Sequence, residues 1–173
     1  MTTTVTAEPR WLSEEEQRAW RAYMASAQLV SDALDRQLQR DAGMPHAYYS
    51  LLVWLSETPE RRMRMTELAE RSKITRSRLS HAISRLEQNG WVRRENCPSD
   101  RRGQLAVLTD EGFAALAAAA PGHVEAVRNA IFDRLSPEQI QQLGEIHRVI
   151  AAGLQPKTGA GGEGTAADLP WLR

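Results

Sequence analysis

The chain has 173 residues, 25% charged and 42% hydrophobic, an ordinary globular mixture that excludes wholesale disorder and fibrous repeats and suits one domain of ~150 residues, or one with a tail. No apolar run approaches the ~18–20 residues that cross a bilayer, residues 1–10 lack a signal's apolar core, and the single cysteine, Cys97, excludes an internal disulfide; a cytoplasmic protein without a membrane partner is expected. The net charge of zero hides an asymmetry: residues 61–102 hold twelve basic residues against five acids, a net of +7, between flanks of −4 and −3.

A long helix is predicted from Ser13 to about Asp41. Ser13 and Glu16 form a capping box, and Trp20, Met24, Ala27, Val30, Leu34 and Leu38 recur at the helical period until Gly43 stops it. Pro45 opens a second helix carrying Tyr48, Leu51, Leu52 and Leu55, which ends near Pro59. Met63 to Ser72 reads as a short third helix. Thr75 caps a fourth, with Leu79, Ala82, Ile83 and Leu86 on one stripe and Asn89-Gly90 closing it.

Two β-like runs follow, Trp91–Glu95 and Gln104–Leu108, separated by the polar stretch from Cys97 to Gly103; a β-hairpin is predicted. Thr109 caps the next helix, which Pro121-Gly122 should kink or split before Val124, Val127 and Ile131. Ser136-Pro137-Glu138-Gln139 is a second capping box, opening a last helix with Ile140, Leu143, His147, Ile150 and Leu154 on one face. Residues 155–173 are rich in Gly, Thr and Ala without periodicity, which predicts a disordered tail.

Two helices joined by a tight turn and followed by a hairpin give the order of a winged helix-turn-helix. Opposite the apolar stripe of the fourth helix lie Ser77, His81, Ser84 and Gln88, flanked by Arg76, Arg78, Ser80 and Arg85, with no acid before Glu87. Hydroxyls, imidazole and arginine are the groups that reach base edges and phosphates, whereas a carboxylate would be repelled. The competing reading is a solvated surface, but such surfaces ordinarily mix Glu with Lys and Arg. At the hairpin tip, Asp100-Arg101-Arg102 can present arginine to a minor groove, Asp100 holding Arg102 extended; the alternative is a charged turn.

The stretch MTELAERSKITRSRLSHAISRLEQNGWVRRENCPSDRRGQLAVLTDEG, residues 65–112, resembles the MarR (multiple antibiotic resistance regulator) family of transcription factors. The carrying motifs are Leu68-Ala69, Arg85-Leu86-Glu87, Gly90-Trp91-Val92, Asp100-x-Arg102 and Leu108-Thr109-x-x-Gly112, and the flanking helix order extends the likeness over residues 13–154. The resemblance implies a mainly α fold with a small β-hairpin wing (α+β), in which flanking helices form a homodimerisation domain. A flexible arm (1–12), dimerisation helices (13–60 and 109–154), a winged helix-turn-helix (61–108) and the disordered tail (155–173) follow.

The implied function is a repressor that binds a pseudo-palindromic double-stranded DNA operator as a homodimer. Thr75, Ser77, Arg78 and His81 fall where the family's recognition helix meets the major groove, and Arg102 matches its minor-groove arginine with Asp100 as ion-pair partner. Arg76, Arg85 and Arg101 complete the expected DNA-binding set. The family also implies a small-molecule effector, a phenolic or anionic aromatic, for which Trp20, Tyr23, Met24, His46, Tyr48 and Tyr49 are candidate lining residues; the alternative is that they simply pack a core. Neither a cofactor nor a metal is expected, because the four histidines lack clustered partners. With no phosphate loop or nucleophile elbow, an enzyme is not expected. A winged module used only for protein–protein contact is the alternative reading.

Overall fold

Local signals set the helix ends. In this computed structural model, which describes residues 8–97 and 100–154 with the side chains of Arg101 and Arg102 excepted, helix α1 spans Glu14–Ala42. The Ser13 hydroxyl accepts from the Glu16 N–H while the Glu16 carboxylate accepts from the Ser13 N–H at 2.7 Å. At the other end Gly43 takes a left-handed φ of 63°, and its N–H closes on carbonyls of the last turn, a conformation glycine adopts without a Cβ penalty. Helix α2, His46–Ser56, buries Leu51, Leu52 and Leu55.

The third element differs from expectation. Residues Arg62–Arg64 form a strand, β1, before helix α3, Met65–Ser72, begins. Only Met63 of the three is buried, and three residues are too few to display an alternating period. What makes them a strand is the edge they join: they pair antiparallel with Leu105–Val107. Helix α4, Arg76–Gln88, follows a tight turn, and the Thr75 hydroxyl caps it by accepting from the Arg78 N–H at 3.3 Å.

Strands β2, Val92–Cys97, and β3, Asp100–Leu108, extend further than the sequence suggested. Asp100 to Arg102 open β3 rather than standing in a long turn, and the register shifts between Asn96 and Cys97. The sheet order is β1-β3-β2, so β3 is central and both faces are covered. Ala106 and Leu108 join the main core of Leu38, Leu52, Leu68, Ile83 and Leu86; Leu105 and Val107 pack with Cys97 on the other side.

Helix α5, Asp110–Ala130, is continuous through Pro121, so the expected split does not occur. The alanine-rich turns before the proline favour helix, and Leu116, Ala119 and His123, on both sides of it, are all buried. The chain divides into two compact units at Ala126 and Val127. The second holds the end of α5, a 3-10 turn at Phe132–Arg134 and helix α6, Pro137–Leu154. There Ser136 and Gln139 form the expected reciprocal cap, and Arg128 pairs with Asp133 at 2.9 Å. No helix among the described residues is long and apolar enough to cross a membrane. The anticipated tail, 155–173, and the arm's first seven residues lie outside the described residues.

Candidate nucleic-acid interface

Helix α4 presents three faces. Leu79, Ile83 and Leu86, buried to 1% or less, anchor it to the core. The next row is Ser80, Ser84 and Glu87. Beyond it Ser77, Arg78, His81, Arg85 and Gln88 are exposed, as are Thr75 and Arg76 at the helix start. With about 100° between successive residues, the exposed set forms one continuous convex surface. Arg85 donates to Gln88 at 3.0 Å within it.

Most arginines around this surface are already neutralised. Arg61 pairs with Asp110, Arg62 with Glu60, Arg71 with Glu67, Arg93 with Glu95 and Arg94 with Glu87. Among the described residues, Lys73, Arg76, Arg78 and Arg85 take part in no ion pair. All four lie on α4 or on the turn that leads into it. The positive block of the sequence therefore resolves into a smaller unpaired set on one exposed helix, the arrangement that attracts a polyanion.

At the wing, the Asp100 carboxylate lies 3.6 Å from the Arg64 guanidinium of β1. Sequence reasoning misses Arg64, since its role depends on β1 lying beside β3. The expected contact of Asp100 with Arg102, and the side chains of Arg101 and Arg102, lie outside the described residues. Arg94 is missed as well. A sequence hint exists, because Glu87 is the one acid in the α4 segment.

The six residues expected to line an effector cavity fall into two places. Trp20, Tyr23 and Met24 sit in the first half of α1, 53%, 43% and 48% exposed, with the Trp20 and Tyr23 rings 6.0 Å apart. At ~1.5 Å per residue, they are separated by roughly 20 Å of helix from Gln37, beside which the second group gathers. There His46 and Tyr49 meet His123 of α5, at ring separations of 5.4 and 4.4 Å, while Tyr48 packs against the main core.

His123 and Gln37 are polar groups buried in an apolar surround. The Gln37 amide donates to Asp41 at 3.1 Å, leaving its oxygen as the partner of His123 Nδ1, also at 3.1 Å; His123 Nδ1 therefore carries a proton in its neutral form. Burial lowers the pKa of both histidines, with the His46 charge adding to the effect on His123 and the Asp35 carboxylate partly opposing it at His46. Burial raises that of Tyr49. Among the described residues no group of three or more His, Cys, Asp or Glu side chains is arranged to hold a metal ion.

The family profile described as MarR family matches residues 42–103, the stretch that contains the helix-turn-helix. The chain is 65% identical to Sco3205, a MarR family transcriptional regulator from Streptomyces coelicolor whose crystal structure is in complex with DNA; the match covers 95% of this chain and 100% of that one, with a TM-score of 0.83. AbsC, a MarR family transcriptional regulator from the same organism, is 43% identical over 84% of this chain and 98% of that chain, with a TM-score of 0.80. The transcriptional repressor YetL of Bacillus subtilis (strain 168) is 29% identical over 108 residues, a stretch spanning 60% of this chain and 64% of YetL. A winged helix-turn-helix fold, its sequence motifs and near full-length identity to Sco3205 thus agree, and the chain belongs to the MarR family of transcriptional regulators.

Proposed function

We propose that the chain binds double-stranded DNA sequence-specifically as a homodimer and represses transcription from a pseudo-palindromic operator. The observation that carries this reading is the exposed face of α4, where Arg76, Arg78 and Arg85 lie unpaired among Ser77, His81 and Gln88. Arginine reads guanine edges and phosphates, and hydroxyl and imidazole groups serve either. The DNA complex formed by Sco3205 supports the same partner here, and the repressor YetL supports the sense of regulation.

Dimerisation is supported by two apolar surfaces, each described within its own unit. Helix α1 exposes Trp20, Tyr23 and Met24, and α6 exposes Ile146, Val149, Ile150 and Leu154. Isolated surface apolar residues are ordinary, but a helical row of them marks an interface. Release by a small aromatic ligand belongs to the same proposal, with His46, Tyr49 and His123 as the polar groups that would meet it.

The decisive experiment is fluorescence anisotropy of the purified protein with a duplex from its own upstream region, against a scrambled duplex of equal length. Preference for the upstream duplex, with an affinity that falls by orders of magnitude between about 50 and 200 mM salt, is the expected result. Equal or no binding to both overturns the reading in favour of a winged module that contacts protein.

A further inference from the structure

We infer that Arg94 is a positioning residue for DNA recognition: it sets the rotation of α4 about its own axis and so aims the exposed face, without itself meeting DNA. The inference rests on the DNA-binding reading above. Arg94 projects from β2, an edge strand, and its guanidinium lies along α4 instead of reaching solvent. One terminal nitrogen meets the Glu87 carboxylate at 3.0 Å. The other donates to the Ser80 carbonyl at 2.9 Å and to the Ser84 hydroxyl at 3.1 Å. The Glu87 carboxylate also accepts from the Arg94 backbone N–H at 3.1 Å.

Ser80, Ser84 and Glu87 are spaced i, i+4 and i+7, the row on one face of a helix. At ~1.5 Å per residue they span roughly 10 Å of axis. Contacts spread over that length resist rolling of the helix as well as sliding. The apolar row Leu79, Ile83 and Leu86 fixes the adjacent face, but interchangeable methyl groups tolerate repacking, whereas a fixed fork of donors does not. The exposed face carrying Ser77, Arg78 and His81 is thereby held at one angle relative to the wing.

Two alternatives are weaker on the same observations. As a phosphate contact, Arg94 is poorly placed, because its side chain is 24% exposed and its charge is matched by Glu87. As a device for stability it is a poor choice, because the Arg94 Nε is buried with no hydrogen-bond partner among the described residues. An unmet buried donor is costly, and buried ion pairs are often matched or bettered by apolar groups. What an apolar residue could not supply is the orientation.

The test compares wild type, Arg94→Met, Glu87→Gln and the double variant by anisotropy, on the upstream and scrambled duplexes over a salt series. Arg94→Met is expected to lower the ratio of specific to non-specific affinity by about tenfold, the size of one good base contact, with the salt slope unchanged. The double variant should be no worse than Arg94→Met, since the two groups act as one unit. If Arg94→Met does not fold, Glu87→Gln, which keeps an acceptor for the backbone N–H, must show the reduced ratio with an unchanged slope. A slope shallower by about one with the ratio intact would make Arg94 a phosphate contact and overturn the inference. So would folded variants with both quantities at wild-type values. Wild-type protein that does not distinguish the duplexes refutes the DNA-binding reading instead, and the inference with it.

Discussion

Gly112 lies against the carbonyl of Trp91 so closely that a Cβ at this position would stand 2.1 Å from the oxygen and 2.8 Å from Leu108 Cδ1. The same carbonyl accepts from the Thr109 N–H at 3.0 Å, and the Thr109 hydroxyl donates to the Gly90 carbonyl at 2.7 Å while capping the Gly112 N–H at 2.9 Å. The Leu108-Thr109-x-x-Gly112 motif is thus a joint between the end of α4, the sheet and the start of α5. Its glycine is required by proximity to backbone.

Gly112→Ala is expected to destabilise the fold by about 1–3 kcal/mol, in the upper part of that range because backbone rather than a side-chain tip must yield. Urea unfolding followed by far-UV circular dichroism measures it. A midpoint equal to wild type would show that the joint can open without loss.

Stability should depend on pH through His46 and His123. Burial holds both below the ordinary histidine value of 6.5, so the unfolded chain takes up protons more readily than the fold does. The stabilisation is complete above that value and is lost as pH falls from 6.5 towards the lowered folded-state values. Urea midpoints should therefore drop between about pH 8 and pH 5. In His46→Gln/His123→Gln that drop should shrink, whatever the variant's starting stability. An identical slope in the double variant would assign the effect elsewhere.

The recognition helix and the wing should fail differently. Arg78→Ala or His81→Ala should relax sequence preference, at about 1–3 kcal/mol for a lost base contact. Arg102→Ala should weaken binding in a manner that follows A·T content, and by more than Asp100→Ala. Asp100→Ala removes the partner of Arg64 but keeps both arginine charges. Anisotropy against duplexes of varied A·T content checks the order, and wild-type binding by Arg102→Ala would remove the wing from the interface.

The dimer should depend on the apolar rows that the single chain exposes. Ile150→Arg places a charge on the row of α6 that also exposes Ile146 and Leu154, and is expected to give monomer or aggregate by analytical ultracentrifugation. Deletion of residues 1–40 removes buried Leu34 and Leu38 with the exposed row and should aggregate rather than release a folded monomer. Dimers of undiminished affinity from Ile150→Arg would place the interface elsewhere.

Short-range chemistry makes much of this protein legible in its amino-acid sequence. The caps at Ser13 and Ser136 each join residues three apart, and the stripe of α4 repeats within one turn, so the sequence alone determined where α1, α4 and α6 start and which face of α4 is buried. It also determined that α4 has an exposed, cation-rich side. The tertiary structure decided what distant segments do to one another. Arg62–Arg64 becomes a strand because β3 offers an edge, and Pro121 stays within a helix because buried residues hold both of its sides. His123 meets Gln37 across 86 positions, and Arg94 reaches back 14 to Ser80. Those partnerships depend on chain segments meeting after collapse, and a periodic pattern records only which side of each segment is apolar.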